Sequence, residues 1–170
     1  MNAPPRLYFI TGISGSGKTS VARRLQELGE VTLDSKLQEG LFLFTDKDGK
    51  APEDYRPRDQ DWKENYSWVL NKRLFDTLME ENRRAKRVFL CGGADDLMRY
   101  WSAGEKVFLL WIDLPTMLKR LDRQNLGKDD VLRERLERYQ NTKIEAGAVP
   151  IDAIRPVEEV VQQILDQTTP

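Results

Sequence analysis

Apolar residues recur along this chain in two alternating rhythms. Short continuous runs come first: Leu7-Tyr8-Phe9-Ile10, Glu30-Val31-Thr32-Leu33, Arg87-Val88-Phe89-Leu90-Cys91, Lys106-Val107-Phe108-Leu109-Leu110-Trp111-Ile112 and Val149-Pro150-Ile151. Their length and their β-branched and aromatic content predict strands buried on both faces. Between them the spacing turns helical. Val21, Ala22, Leu25 and Leu28 lie on one helix face, with Gly29 as the stop. Leu37 to Phe44 is apolar but short and reads as a helical turn or lid-like segment. Residues 45–59 are polar, with two prolines and a glycine, and predict a long loop. Trp62, Tyr66, Val69, Leu70, Phe75, Leu78 and Met79 follow a helical period to about residue 82. A short helix over about 95–101 precedes Gly104, and Pro115 suits the first turn of the next helix. That helix, with Leu118 and Leu121 inward, breaks at Asn125-Leu126-Gly127. A charged helix then spans about 129–145, and Val157, Val160, Val161, Ile164 and Leu165 define the last one.

Strands that alternate with helices imply an α/β fold: a five-stranded parallel sheet with helices on both faces, in three layers. Ligands of such sheets sit beyond the carboxyl ends of the strands. Strand-end residues are therefore the candidates: residues 12–20, Asp34, Gly92-Gly93, Asp113, and the loop 152–156.

The first strand end carries the sharpest signal. Gly12-Ile13-Ser14-Gly15-Ser16-Gly17-Lys18-Thr19 fits G-x-x-x-x-G-K-[ST], the phosphate-binding P-loop, and it stands between a strand and a helix as that motif requires. The glycines let successive backbone N–H groups turn inward as a nest for phosphate oxygens. Lys18 supplies a point charge for the β- and γ-phosphates, the Thr19 hydroxyl suits Mg²⁺, and the helix N-terminus favours the anion. The expected nucleotide-binding residues here are Gly12, Ser14, Gly15, Ser16, Gly17, Lys18, Thr19 and Ser20.

Composition narrows the function. With 170 residues, one domain is the expectation. Lysine and arginine total 27 against 28 acidic residues, a net charge of −1, which argues against a protein that coats nucleic acid. No apolar run approaches a membrane span. The opening Met1-Asn2-Ala3-Pro4-Pro5-Arg6 lacks the basic-then-apolar pattern of a secretory leader. The single cysteine, Cys91, suits a reducing cytoplasm. Histidine is absent, so acid–base work falls to carboxylates, lysine or tyrosine.

Asp34 ends the second predicted strand. Beside the P-loop it would take a proton from an acceptor hydroxyl or hold a water on Mg²⁺; as a bland alternative it caps a helix. Gly92 and Gly93 either let a substrate approach the backbone or form an ordinary tight turn. Arg120, Arg123, Arg133, Arg135 and Arg138 are either a solvated helix face or cations for phosphoryl transfer; Arg120 and Arg123 share one face. Trp62 and Trp68 have aromatic faces for stacking, although helical spacing makes them core candidates.

Taken together, these motifs resemble the adenylate-kinase-like superfamily of P-loop small-molecule kinases over nearly the whole chain. Arg120-Leu121-Asp122-Arg123 resembles the arginine pair that opens the lid in nucleoside monophosphate kinases, where the second commonly packs on adenine. Arg135 to Thr142 is similar to the arginine-rich helix after the lid, which implies a phosphate contact for Arg135. Val149 to Pro156 resembles the strand and loop whose backbone contacts adenine, which implicates Arg155 and Pro156. The Asp-Gly-Phe-Pro-Arg signature of nucleotide kinases is absent. Phe89-Leu90-Cys91-Gly92-Gly93-Ala94-Asp95 stands there instead, closer to the glycine turn of shikimate and gluconate kinases. Residues 35–82 would then be an acceptor-binding insertion, and about 124–128 a short lid. The resemblance implies a cytoplasmic enzyme, monomeric or homodimeric, that uses ATP and Mg²⁺ to phosphorylate a small molecule, with Lys18, Asp34, Arg123 and Arg135 as catalytic residues. Alternatives are a nucleoside or nucleoside monophosphate kinase, and a regulatory NTPase without an acceptor.

Overall fold

In the computed structural model, which describes residues 3–56, 59–121 and 129–168, the five predicted runs form one sheet. The strands are β1 (Arg6–Thr11), β2 (Val31–Asp34), β5 (Arg87–Cys91), β6 (Lys106–Trp111) and β7 (Val149–Asp152). All pair in parallel, in the order β2-β5-β1-β6-β7. Alternation within β1 sends Tyr8 and Ile10 to one face and Leu7 and Phe9 to the other, and each face builds its own core. On the first face, the Tyr8 ring stacks on Phe89 and Phe108, under α1 (Lys18–Glu27) and α6 (Val157–Leu165). On the second, Phe9, Val88, Leu90 and Leu109 are covered by α3 (Lys72–Glu81) through Phe75, and by a 3₁₀ segment, Leu97–Ala103, through Leu97. The open edge of β2 is closed by side chains: the Thr32 carbonyl accepts from the Gln26 and Gln38 amides.

Two helices approach the cleft from the lid side. The first, α4 (Leu114–Arg120), is capped by Asp113, whose Oδ1 accepts from the Thr116 N–H at 2.9 Å, and it has Pro115 in its first turn. The second, α5 (Asp129–Glu145), turns Leu136 and Gln140 inward. The expected lid, 124–128, lies outside the described residues.

Two expectations fail in the insertion. Neither the helical turn over 37–44 nor the continuous helix over 62–82 forms. Instead β3 (Phe42–Thr45) and β4 (Ser67–Leu70) make an antiparallel hairpin, with Phe42 opposite Leu70 and Phe44 opposite Trp68. A short helix, α2 (Gln60–Asn65), precedes β4, and Asn71 caps α3. Trp68-Val69-Leu70 satisfies a helical period and a strand equally well. Pairing with a segment two dozen residues earlier decides between them, as tertiary context commonly does for short apolar runs. Phe44, Trp62 and Tyr66 then pack ring against ring as a small aromatic core for the insertion, with the exposed Tyr55 against its edge.

Candidate active site

The carboxyl ends of the strands surround a cleft of about 910 Å³. Its floor is the loop between β1 and α1. Gly15 and Gly17 adopt φ of 85° and 96°, a left-handed backbone that glycine takes without strain. At Gly12 the requirement is space, because a Cβ there would stand 2.3 Å from Ser16 Oγ. The buried Ser16 hydroxyl has no hydrogen-bond partner among the described residues, and no side chain caps the N-terminus of α1. A buried unpartnered hydroxyl and an uncapped helix start fit a phosphate. Lys18 Nζ donates to the carbonyls of Gly12 (2.6 Å) and Ile13 (3.0 Å). Enclosure in the cleft pushes the Lys18 ammonium down to about 8. The Asp34 carboxylate opposes that shift, while the Lys36 ammonium adds to it.

Asp34 is buried at the end of β2 and lines the same cleft. It reaches the cleft although β2 does not adjoin β1: β5 lies between them, and Asp34 pairs with Cys91. No helix follows Asp34, so its carboxylate caps a turn and not a helix. Oδ1 accepts from the Lys36 N–H at 2.8 Å, a local turn cap, and the carboxylate charge acts on Lys18. The two glycines part company. A Cβ on Gly92 would meet the Phe42 ring at 2.5 Å, so its bareness serves the packing of the hairpin rather than a ligand. Gly93 lines the cleft, where its Cβ position is 3.9 Å from Lys18 Cε and 3.8 Å from the Tyr139 hydroxyl.

The arginines divide as well. Arg120 spans the cleft's far side: it donates to the carbonyls of Gly15 (3.3 Å), Ser16 (3.2 Å) and Ala153 (2.7 Å), tying the P-loop to the turn after β7. Arg123 lies outside the described residues. Arg135 is exposed on α5 and, like Pro156, is not among the residues that line the cleft. Arg138 pairs with Glu134 at 2.6 Å on the exposed face of the same helix, which suits the solvated-face alternative. Arg155 lines the rim and pairs with Asp152 at 3.4 Å. Lys18, Lys36, Arg120 and Arg155 thus face the single carboxylate of Asp34 among the described lining residues, an electropositive cleft on a chain of net charge −1.

Lys36 and Tyr139 are cleft residues that the sequence did not single out, and Trp68, for which helical spacing favoured the core over stacking, lines the cleft as well. Lys36 follows a strand-end carboxylate by two positions, a signal that was available. Tyr139, whose hydroxyl stands 3.2 Å from Thr11 Oγ1, and Trp68 reach the cleft only through the packing of α5 and the hairpin. Among the described residues no group of three or more carboxylate, cysteine or histidine side chains gathers to hold a metal. Thr19 at the P-loop is the protein group suited to Mg²⁺, which characteristically takes one or two protein ligands beside a nucleotide's phosphates.

Sheet order, P-loop and flanking helices together give an α/β P-loop fold that solved shikimate kinases share. The shikimate kinase of Acinetobacter baumannii superposes with a TM-score of 0.58 at 18% identity, over 95% of this chain and 92% of that one. The Aquifex aeolicus shikimate kinase gives 0.56 at 16%, over 94% and 93%. TT1252 from Thermus thermophilus gives 0.58 at 21%, over 99% and 100%. Neither a protein-family model nor a curated protein matches the chain. No helix among the described residues is long and apolar enough to cross a membrane.

Proposed function

We propose that the protein is an ATP-dependent kinase that phosphorylates a hydroxyl group of a small-molecule acceptor. The observation that carries this reading is the placement of Lys18 and Asp34 in one electropositive cleft, where the carboxylate charge acts on the ammonium. Sheet order supports a division of that cleft. β7, with Ala153 and Arg155 beyond it, lies on one side of β1; β5 and β2, with Gly93 and Asp34, lie on the other. The nucleotide base is assigned to the first side, under Arg120, and the acceptor to the second. The P-loop amides and Lys18 hold the β- and γ-phosphates. Thr19 helps hold Mg²⁺, whose contribution is to offset phosphate charge. The acceptor oxygen bonds to the γ-phosphorus as the bond to the β–γ bridging oxygen breaks. Asp34 takes or orients the hydroxyl proton, and ADP leaves. Likeness in fold to shikimate kinases supports a hydroxyl acceptor without naming it. The one cysteine is buried, which agrees with a reducing, ATP-rich cytoplasm.

A metabolite screen for ADP release with mass detection of the product tests this reading. ADP and a phosphorylated metabolite should form in equal amounts, and Lys18→Ala should abolish both while it leaves the melting temperature near that of the wild type. Slow hydrolysis with no phosphorylated product would point to a nucleotide-dependent switch instead. With the acceptor in hand, Asp34→Asn should keep ATP affinity and lower turnover by roughly 10²–10⁴, the range for loss of a general base. Asparagine preserves the Oδ1 cap to Lys36, so near-normal turnover would reduce Asp34 to its turn-capping role.

A further inference from the structure

We infer that Trp68 is the platform on which the acceptor's ring packs, and that the acceptor is a cyclic hydroxyl compound, a nucleoside or a sugar, rather than an open-chain one. This rests on the kinase reading above. Trp68 lines the cleft with its ring part-exposed. It does so at the β5 end, away from the Ala153 and Arg155 rim assigned to the nucleotide base.

The indole is held there. The Phe42 ring stacks on it at 6.1 Å between centroids, and the Phe44 ring packs against it at 4.7 Å. Its backbone is pinned to the turn after β5: the Trp68 N–H donates to Asp95 Oδ2 at 3.0 Å, and the Asp95 N–H donates to the Trp68 carbonyl at 2.8 Å. The neighbouring Leu70 N–H donates to Asp96 Oδ1 at 3.0 Å. That turn also bears Gly93, which brings the cleft wall close to Lys18. Thus an aromatic face is fixed in advance relative to the phosphoryl-transfer centre, at no cost in ordering on binding. An indole face offers no hydrogen bond to an open-chain polyol or hydroxy acid. It rewards a ligand that presents a flat or C–H-lined ring. Phe44, Trp62 and Tyr66 pack on one another in the insertion, and none of them lines the cleft.

The test uses the wild-type chain with MgATP against two sets of acceptors. Adenosine, thymidine, glucose and myo-inositol supply rings; glycerate, homoserine, gluconate and ethanolamine are open chains. Phosphorylated product should come from the ring set, and its identity separates nucleoside from sugar. With that acceptor, Trp68→Leu should raise the acceptor KM by roughly ten- to a hundredfold, as loss of a stacking platform does. The ATP KM should stay within about twofold, the split expected when only acceptor binding is lost. Trp68→Phe should keep most acceptor affinity and abolish the tryptophan fluorescence change that acceptor binding causes in the wild type. Should Trp68→Leu fail to fold, that fluorescence change decides alone. Product only from the open-chain set, an unaltered acceptor KM in Trp68→Leu, or a fluorescence change that survives in Trp68→Phe overturns the platform and leaves the kinase standing. Slow MgATP hydrolysis with no phosphorylated product from these sets or from the full metabolite screen removes the kinase reading, and the platform with it.

Discussion

Lys18 concentrates the physics of the site in one side chain. Its ammonium is enclosed, bonded to two carbonyls of its own loop, and lowered to about 8 by burial against the pull of Asp34. A lysine lowered on folding binds fewer protons in the native state than in the unfolded chain between about 8 and its ordinary value of 10.5. It therefore costs stability below about 8, and that cost is relieved as pH rises through this window. Polyphosphate reverses the preference, since an anion favours the ammonium form. MgATP binding should accordingly draw in a proton above pH 8, and the dissociation constant should rise with pH there, by at most about tenfold per unit. Titration calorimetry in buffers of different ionisation enthalpy measures both quantities. Lys18→Arg, which stays charged, should flatten the profile; an equally steep profile in that variant would assign the proton to another group.

At the scale of elements, the hairpin matters most, because it carries Trp68 and closes the second half of the cleft. Its seat is Gly92. The Phe42 ring occupies the space where any side chain on Gly92 would stand, with its Cζ 2.5 Å from the Cβ position. Gly92→Ala should destabilise the fold by about 1–3 kcal/mol, the usual cost of overpacking. Phe42→Leu in the same chain should return part of that loss, since the shortened side chain vacates the contact. Denaturant melts of the two single variants and the double variant measure the coupling. Strict additivity would show that Gly92 answers to something other than Phe42. The same contact explains why the glycine pair was ambiguous in the sequence: one glycine makes room for a protein ring, the other borders the cleft.

The whole molecule separates stability from chemistry along the strand direction. At the amino ends of the strands, the Arg87 guanidinium pairs with the Glu30 carboxylate, with Nε to Oε2 at 2.9 Å, and its Nη1 donates to Thr168 Oγ1 at 2.8 Å. One side chain thus joins the start of β5, the entry to β2 and the end of the described chain. The pair is mostly shielded, with 13% and 19% of the two side chains exposed, so its loss leaves a poorly hydrated carboxylate on Glu30. Arg87→Ala should cost about 1–3 kcal/mol, a fall of several degrees in melting temperature for a chain of this size. The MgATP dissociation constant should not move, because the cleft opens at the opposite, carboxyl ends. A parallel loss of affinity would show that the two ends of the sheet are coupled.

The sequence by itself determined what contiguous residues decide. The five strand runs, the α1 and α6 faces, and the strand–loop–helix at 12–19 are each written within a few adjacent turns of chain, where hydrophobic period and glycine placement suffice. Asp34 and Gly93 were legible too, because the strand-end rule needs only the sheet's direction. The tertiary structure decided everything that joins distant residues. It set β5 between β1 and β2, paired Phe44 with Trp68, and carried Arg120 to the carbonyl of Ser16, 104 residues away. It also left Arg135 in solvent on a helix whose resemblance to the arginine-rich helix after the lid implied a phosphate contact, while it turned Tyr139 of that helix into the cleft. Periodicity reports which face of an element is buried. Which element covers that face depends on crossover order and on pairing energies summed over the whole chain, and no local window contains them.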